Sequence, residues 1–584
     1  MKLQIWMGRA GAGKSRLVLE TLEKQRRQRP QVLLVPEHAS HEAELDLCRI
    51  CGPTASRDAE VLSFRNLATR VLSQTGGLAD VTLDNGGKLL TMRRALQEVS
   101  GRLTVFARPS QRPAFLRQLV ALADELYAYR VTPAALMEQV SDMDGAAGEK
   151  LRSAALIYGA YDTRLHGEGI DARSRVQKLC DALPGSDYLV GKDVYVDGFS
   201  YFNRVEEDIL ETALRQANSV TVTLLGDESD PQLFQNALRQ RDRLKRMAAA
   251  VRSDCDVKTL VSNGDGALAH LERCFFGDET PWQGEQPPIR LYQAETPFSE
   301  VEYVAAQVRR LAREGCRWRD ICVTARNMEV YGPLLEAVFR RDGIPAYISR
   351  RSDILEKPVL TMLLSAVDAV TGGFEYEDVF RCLKTGMAGI SAAECDILEN
   401  YVIRWEIRGA MWLRDTDWTA SPDGYGAELN ETRRQRLAEV NNVRRRVREL
   451  FVDLSEGLKT GLTIRDKAET LYRFAESAAV PETLKQQTEA LYDDGQVQLA
   501  EEYSQLWRIF CDVLDQFVEI LGEEHLEQSE FERLFRLVLT QYSVGTIPVA
   551  LDQVSVSEIT RNDRHTTSYL FLLGANDHVL PDPG

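Results

Sequence analysis

The residues best suited to chemistry lie at the start of the chain, where Gly8-Arg9-Ala10-Gly11-Ala12-Gly13-Lys14-Ser15 fits GxxxxGK[ST] in full. Glycines at this spacing let backbone N–H groups curl around phosphate oxygens, Lys14 can reach the β- and γ-phosphates, and Ser15 can ligate Mg²⁺. A helix opening at this point adds its positive end to the anion. The alternative is a structural glycine turn. The apolar run Leu3–Met7 before the loop and the helix-forming stretch Ser15–Gln25 after it favour a nucleotide site. Hydrolysis also requires an Asp at the end of a later strand for the metal, usually with a Glu beside it to orient water. In Asp193-Val-Tyr-Val-Asp197-Gly198, Asp197 suits the metal, but Gly198 follows it in place of Glu. Glu206 and Glu207 fall in the next predicted helix, and Asp227 could either face the same site or serve as a turn residue. This combination predicts a site that binds ATP with Mg²⁺ and hydrolyses it poorly. Cys48 and Cys51 form a single CxxC read as incidental thiols, and His38 and His41 have no further ligand to make a zinc site.

These residues need a parallel sheet to position them. Val32–Val35 is a continuous apolar run of the kind buried in such sheets, and Val194–Val196 and Val220–Leu225 are two further apolar strands. A helical stretch of residues 78–184 separates the first of them from the other two, and Gly264–Pro288 reads as a linker. A second α/β pattern follows: strand Ile289–Tyr292, helix Ser299–Glu314 and strand Asp320–Thr324. After a helical block from Lys357 to Tyr542, it resumes at Val554–Ser557 and the buried-looking strand Tyr569–Leu573. The predicted division is 1–77 with 185–285 and 286–356 with 543–584 as two α/β cores, carrying the helical insertions 78–184 and 357–542. The 584 residues agree with about four units at roughly 150 residues each. A strand so close to Gly584 suggests a chain that continues. With 71 Lys+Arg against 88 Asp+Glu, the net charge of −17 excludes a general polyanion binder, so nucleic acid would need a local basic groove. No apolar run approaches the ~18 residues that span a bilayer, and ten scattered Cys fit reduced thiols in a cytoplasm.

Together with the P-loop, the segments Val32-Leu-Leu-Val-Pro-Glu-His38, Val61-Leu-Ser-Phe64, Val196-Asp-Gly-Phe199, Ile547–Val554 and Leu573-Gly-Ala-Asn-Asp-His-Val-Leu-Pro581 carry a family resemblance. They closely resemble the N-terminal half of the AddB-type subunit of the bacterial ATP-dependent helicase/nuclease. The resemblance implies two RecA-like P-loop NTPase cores of the superfamily-1 helicase kind. It implies DNA contact at Val32–His38 and Ser63-Phe64, with Glu300 and Arg326 facing ATP, Arg326 as a cation toward the γ-phosphate or else a solvated residue after a strand. It also implies a heterodimer with an AddA-type subunit that processes double-strand breaks. A nuclease and a 4Fe-4S cluster would belong to the chain beyond Gly584. Gly198 departs from an active motor, and Thr560–His565 lacks the His-x-x-Lys-Gly turn, which points to a degenerate motor. An autonomous superfamily-1 helicase and a nucleotide-gated DNA-binding scaffold are the alternatives. Stacking aromatics and phosphate-binding arginines make Phe64, Arg65, Arg70, Arg350 and Arg351 DNA candidates, against the reading of solvated charges. Arg433-Arg434 and Arg444-Arg445-Arg446 read as solvated helix faces.

Overall fold

A computed structural model describes residues 2–580 apart from 27, 53, 78–82, 104, 107–112, 168–174, 262–265, 276–279, 286–287, 349–351, 545–551 and 560–566. Its first sheet holds β1 (Lys2–Gly8), β2 (Gln31–Leu34), β3 (Ala59–Leu62), β4 (Asp193–Val196), β5 (Ser219–Leu225) and β6 (Asp254–Thr259). They run in the order β3-β2-β4-β5-β1-β6, and every pairing is parallel. β1, β2 and β4 are largely inaccessible on both faces, which is why Ile5–Met7, Val32–Leu34 and Val194–Val196 read as apolar runs. The helices Lys14–Gln25 and Ser40–Cys51 cover one face through Val18, Leu19, Leu22 and Leu47. The helices Phe64–Thr75, Arg175–Ala182, Arg204–Gln216 and Gln235–Ala250 contribute to the cluster on the other.

The second sheet contains β7 (Ile321–Ala325), β8 (Ala346–Ile348), β11 (Val554–Glu558) and β12 (Tyr569–Leu573), parallel in the order β12-β7-β11-β8. A short antiparallel pair, β9 (Ser352–Asp353) with β10 (Ser543–Val544), closes the segment that leaves this sheet and returns to it. Two expectations are corrected here. Ile289–Tyr292 forms no strand: Leu291 is almost wholly exposed, and Tyr292 stacks on Tyr303 of the helix Pro297–Arg313 at 3.6 Å between ring centroids. β12 is an edge strand with Tyr569, Leu570 and Leu572 exposed, so its apolar run is buried only in part. The supposed linker also contains a helix, Ala267–Cys274.

The two helical segments share one hydrophobic core, which runs from Leu89 through Leu165 and on from Ile354 to Val544. Polar contacts reinforce the seam. Arg93 donates to Glu524 at 3.0 Å and Glu530 at 2.8 Å, Arg94 to the Ile520 carbonyl at 3.1 Å, and Gln516 and Tyr542 both to Asp84 at 2.7 and 2.6 Å. A side chain at Gly86 would collide with this seam, its Cβ falling 2.8 Å from the Tyr542 hydroxyl and 2.9 Å from Gln516. The solvated reading of Arg444 is also overturned. Its side chain is fully buried, its guanidinium lies 5.3 Å from the Trp418 ring centre, and it donates to the Arg414 carbonyl. Burial lowers its pKa, and the partner acid is Asp417 at 3.6 Å. Arg446 bridges to Glu394, and Arg433 donates to Asp423 at 2.6 Å, so these basic runs brace the helical body.

Candidate functional site

The glycine loop leaves β1 at the carboxyl edge of the first sheet and enters the helix Lys14–Gln25. Each glycine has its own reason. A Cβ on Gly8 would meet the Leu260 carbonyl oxygen at 2.8 Å and the Ala12 Cβ at 2.9 Å, so only hydrogen fits there. Gly11 and Gly13 hold φ of +73° and +79°, a left-handed conformation that lets the loop wrap with its N–H groups inward. Lys14 folds back over the loop and donates to the carbonyl oxygens of Gly8 at 2.7 Å and Arg9 at 2.9 Å. Desolvation lowers its pKa, opposed by the negative charges of Asp197 and Glu272. An ammonium held this way is prepared for an anion, because phosphate oxygens can take over from the neutral carbonyls.

β5 lies between β1 and β4, and the parallel registers bring Gly8 level with Leu225 and Val196 level with Val222. Asp197 therefore emerges one strand away from the loop, at the same edge. Its carboxylate accepts from Thr223 Oγ1 at 2.5 Å, which fixes its orientation. Ser15 stands in the first turn of the loop's helix, so its hydroxyl and the Asp197 carboxylate are the two groups suited to Mg²⁺. The remaining acids are engaged elsewhere. Glu206 closes a capping box with Asn203, and burial raises its pKa. Glu207 is buried and accepts from Gln240 at 3.3 Å and Arg243 at 3.2 Å. Neither is placed as a water-orienting base. Asp227 does face the loop: it accepts from Arg9 Nε at 2.7 Å, and that bond holds it below the usual carboxylate range. Arg9 also stands 3.6 Å from Glu272 and over the Phe234 ring at 5.2 Å. Glu272 was not foreseen because it sits in a segment whose Gly and Pro content reads as linker.

Gly198 occupies the position after Asp197 with φ +82°, and a Cβ there would lie 3.4 Å from Pro36. Gly198→Glu is therefore expected to cost about 1–2 kcal/mol of stability without conferring hydrolysis, because the backbone disfavours an L side chain. Thermal denaturation alongside steady-state ATP turnover checks this, and a large gain in turnover would refute it.

The other candidates are dispersed. Arg326 directly follows β7 in the second sheet. Glu300 accepts from the Tyr331 hydroxyl at 2.7 Å and from the Gly574 N–H at 2.9 Å, which ties the second core together. Phe64 is 5% exposed and packs against Phe199 at 5.3 Å, so its ring has no free face for a base. Arg65 pairs with Glu37 at 3.3 Å and Arg70 with Glu60 at 3.7 Å. Arg350, Arg351 and the segment Thr560–His565 lie outside the described residues. Among the described residues no cluster of His, Cys, Asp or Glu is arranged for a metal ion, and no helix is long and apolar enough to cross a membrane.

A parallel sheet with this loop at its carboxyl edge and an aspartate one strand away is the framework of the P-loop class of α/β proteins. Within that class, residues 5–272 match the family model described as ADDB, N-terminal. The whole chain aligns with proteins named as the B subunit of an ATP-dependent helicase/deoxyribonuclease. It is 30% identical over 605 aligned positions to that of Clostridium botulinum (strain Loch Maree / Type A3) and 34% over 613 to that of Desulforudis audaxviator, in each case spanning 53% of the relative. Identity to the Acetivibrio thermocellus protein of the same name is 31% over 602 positions and 52% of its length. The resemblance to the AddB type is thus borne out over the full chain, which spans about half the length of the curated relatives it matches.

Proposed function

We propose that this chain is the ATP- and DNA-binding portion of a heteromeric helicase/nuclease that processes double-strand-break ends for recombinational repair. In this reading it works as a degenerate motor that grips or reads the strand, beside an AddA-type helicase subunit. The two sheets are its RecA-like cores, divided as 1–77 with 185–285 and 286–356 with 543–584, and the helical segments 78–184 and 357–542 are their insertions. One strand between the P-loop strand and the Asp197 strand supports the RecA-like assignment of the first core. Gly8–Ser15 would hold the phosphates, with Lys14 moving from its carbonyl partners to them, and Ser15 and Asp197 would hold Mg²⁺, which neutralises charge on the phosphates when bound. Arg326 is the cation that the second core offers to the nucleotide. In this reading a nuclease and a 4Fe-4S cluster would fall in the stretch of the relatives' length that this chain does not span.

The observation that carries the degenerate-motor reading is Asp197 followed by a left-handed Gly198, with both downstream glutamates engaged in their own helix and its neighbour. The purified chain is expected to bind MgATP and to turn it over slowly, with no stimulation by single-stranded DNA. Steady-state hydrolysis near the ~10 per second of an ordinary enzyme, rising with DNA, would favour an autonomous helicase.

A further inference from the structure

Two adjoining clefts lie along the carboxyl edge of the first sheet, next to the nucleotide loop. The first, of about 680 Å³, opens beside Ala10 and has mainly apolar walls, including Leu268, Leu271 and Phe275 from the helix Ala267–Cys274 and its end. The second, of about 880 Å³, lies between the helices Arg204–Gln216 and Gln235–Ala250 and reaches Tyr129. Tyr201 and Asn236 line both, which makes them one channel.

Its chemistry differs from that of the rest of the surface. In a chain of net charge −17, the helix Gln235–Ala250 carries Arg239, Arg241, Arg243, Lys245 and Arg246 against the single acid Asp242. Arg239, Arg243 and Arg246 follow helical spacing and line the channel, opposite Arg204. The four acids in the wall already have partners: Glu207 has Arg243 at 3.2 Å, Asp208 has Arg204 at 3.1 Å, Glu211 has Arg215 at 2.7 Å, and Glu272 has Arg9 at 3.6 Å. Arg239 and Arg246 are exposed and form no ion pair with a described residue. Aromatic rings stand beside them: Tyr201 is 71% exposed and Tyr129 60%. Open rings next to unpaired arginines in a groove are what a single strand of nucleic acid needs, stacking for bases and cations for phosphates. A protein partner would find complementary apolar surface in the first cleft only.

We propose that this channel holds a single strand of nucleic acid, with bases against Tyr201 and Tyr129 and phosphates along Arg204, Arg239 and Arg246. The proposal rests on the DNA-binding reading above and places the grip on other residues than Phe64, whose ring is buried. It also gives the strand a wall in common with the nucleotide, since Glu272 beside Leu271 reaches Arg9 of the P-loop at 3.6 Å.

Fluorescence anisotropy with labelled oligo(dT), repeated across a salt series, tests it. Arg239→Glu combined with Arg246→Glu is expected to lower affinity at least tenfold. It should also flatten the dependence of log K on log salt by about 1.4, two single-strand phosphate contacts at about 0.7 each. Tyr201→Ala should lower affinity about tenfold at every salt concentration, and Tyr201→Phe should restore it. All three variants should bind MgATP as the parent does, which shows that they fold. An arginine pair variant with parental affinity and slope overturns the channel and leaves the DNA-binding reading standing. A parent chain that captures no oligonucleotide overturns both.

Discussion

Lys14→Ala is expected to lower MgATP affinity by about 100-fold, a loss near 3 kcal/mol, while leaving the fold intact. The size follows from where the ammonium sits. It is already desolvated against the carbonyls of Gly8 and Arg9, so a phosphate gains a charge that water does not screen well. The stability cost is small, because the loop is partly exposed and water can solvate the two carbonyls when the lysine is gone. Isothermal titration with ATP measures the affinity. Thermal denaturation gives a second readout, since saturating nucleotide should raise the melting temperature of the parent and not of the variant. Unchanged affinity in Lys14→Ala would remove Gly8–Ser15 from the nucleotide site altogether.

Much of the site was legible because its chemistry is local. Gly8, Gly11 and Gly13 are needed for close approach and left-handed backbone within eight consecutive residues, and such demands fix residue type at fixed spacing. The strands that hold them were legible for a related reason: burial on both faces leaves Val32–Val35 as an unbroken apolar run, and in Val220–Leu225 the only polar residues are Thr221 and Thr223, β-branched and themselves buried. β6 escaped notice because it is an edge strand of sequence Asp-Cys-Asp-Val-Lys-Thr, largely exposed, and its partner β1 supplies the only ladder it needs. Glu272 and Asp227 were obscure because their meaning depends on Arg9, distant from both in sequence and brought near by the fold. Phe64 misled because an aromatic at the start of a helix has the same signature whether its ring is offered to a base or, as here, turned onto Phe199. Arg444 misled in the opposite sense. Basic residues in a helix rich in charge read as solvated, yet the stem of an arginine can be buried where carbonyls and an aromatic face receive its head.

The sharing of one core by both helical segments leads to the second large effect. Phe517 is fully buried, with Phe531 and Phe535 edge-on at 5.6 and 6.0 Å, and its helix neighbours Gln516 and Ile520 face Gly86 and Gly87 across the seam. Phe517→Ala removes the ring from a cluster that cannot collapse, because Phe531 and Phe535 are held by their own helix Gln528–Leu539. The expected cost is about 3–5 kcal/mol, the range for a large buried aromatic cut to alanine. The location of the loss distinguishes one helical body from two. In a single body, hydrogen exchange should quicken in the helix Asn85–Val99 as well as in Val497–Leu521, since Arg93, Arg94 and Asp84 are bound to the same seam. ATP binding by the first sheet should persist, because its core is a separate cluster. Faster exchange confined to residues 357–542, with Asn85–Val99 unchanged, would show that the insertions are energetically independent. Their coupling bears on the proposed strand-gripping role: each helical segment is rooted in a different sheet, so a common core obliges any movement between the sheets to carry the helical body with it or to break the Arg93–Glu524 and Arg93–Glu530 pairs.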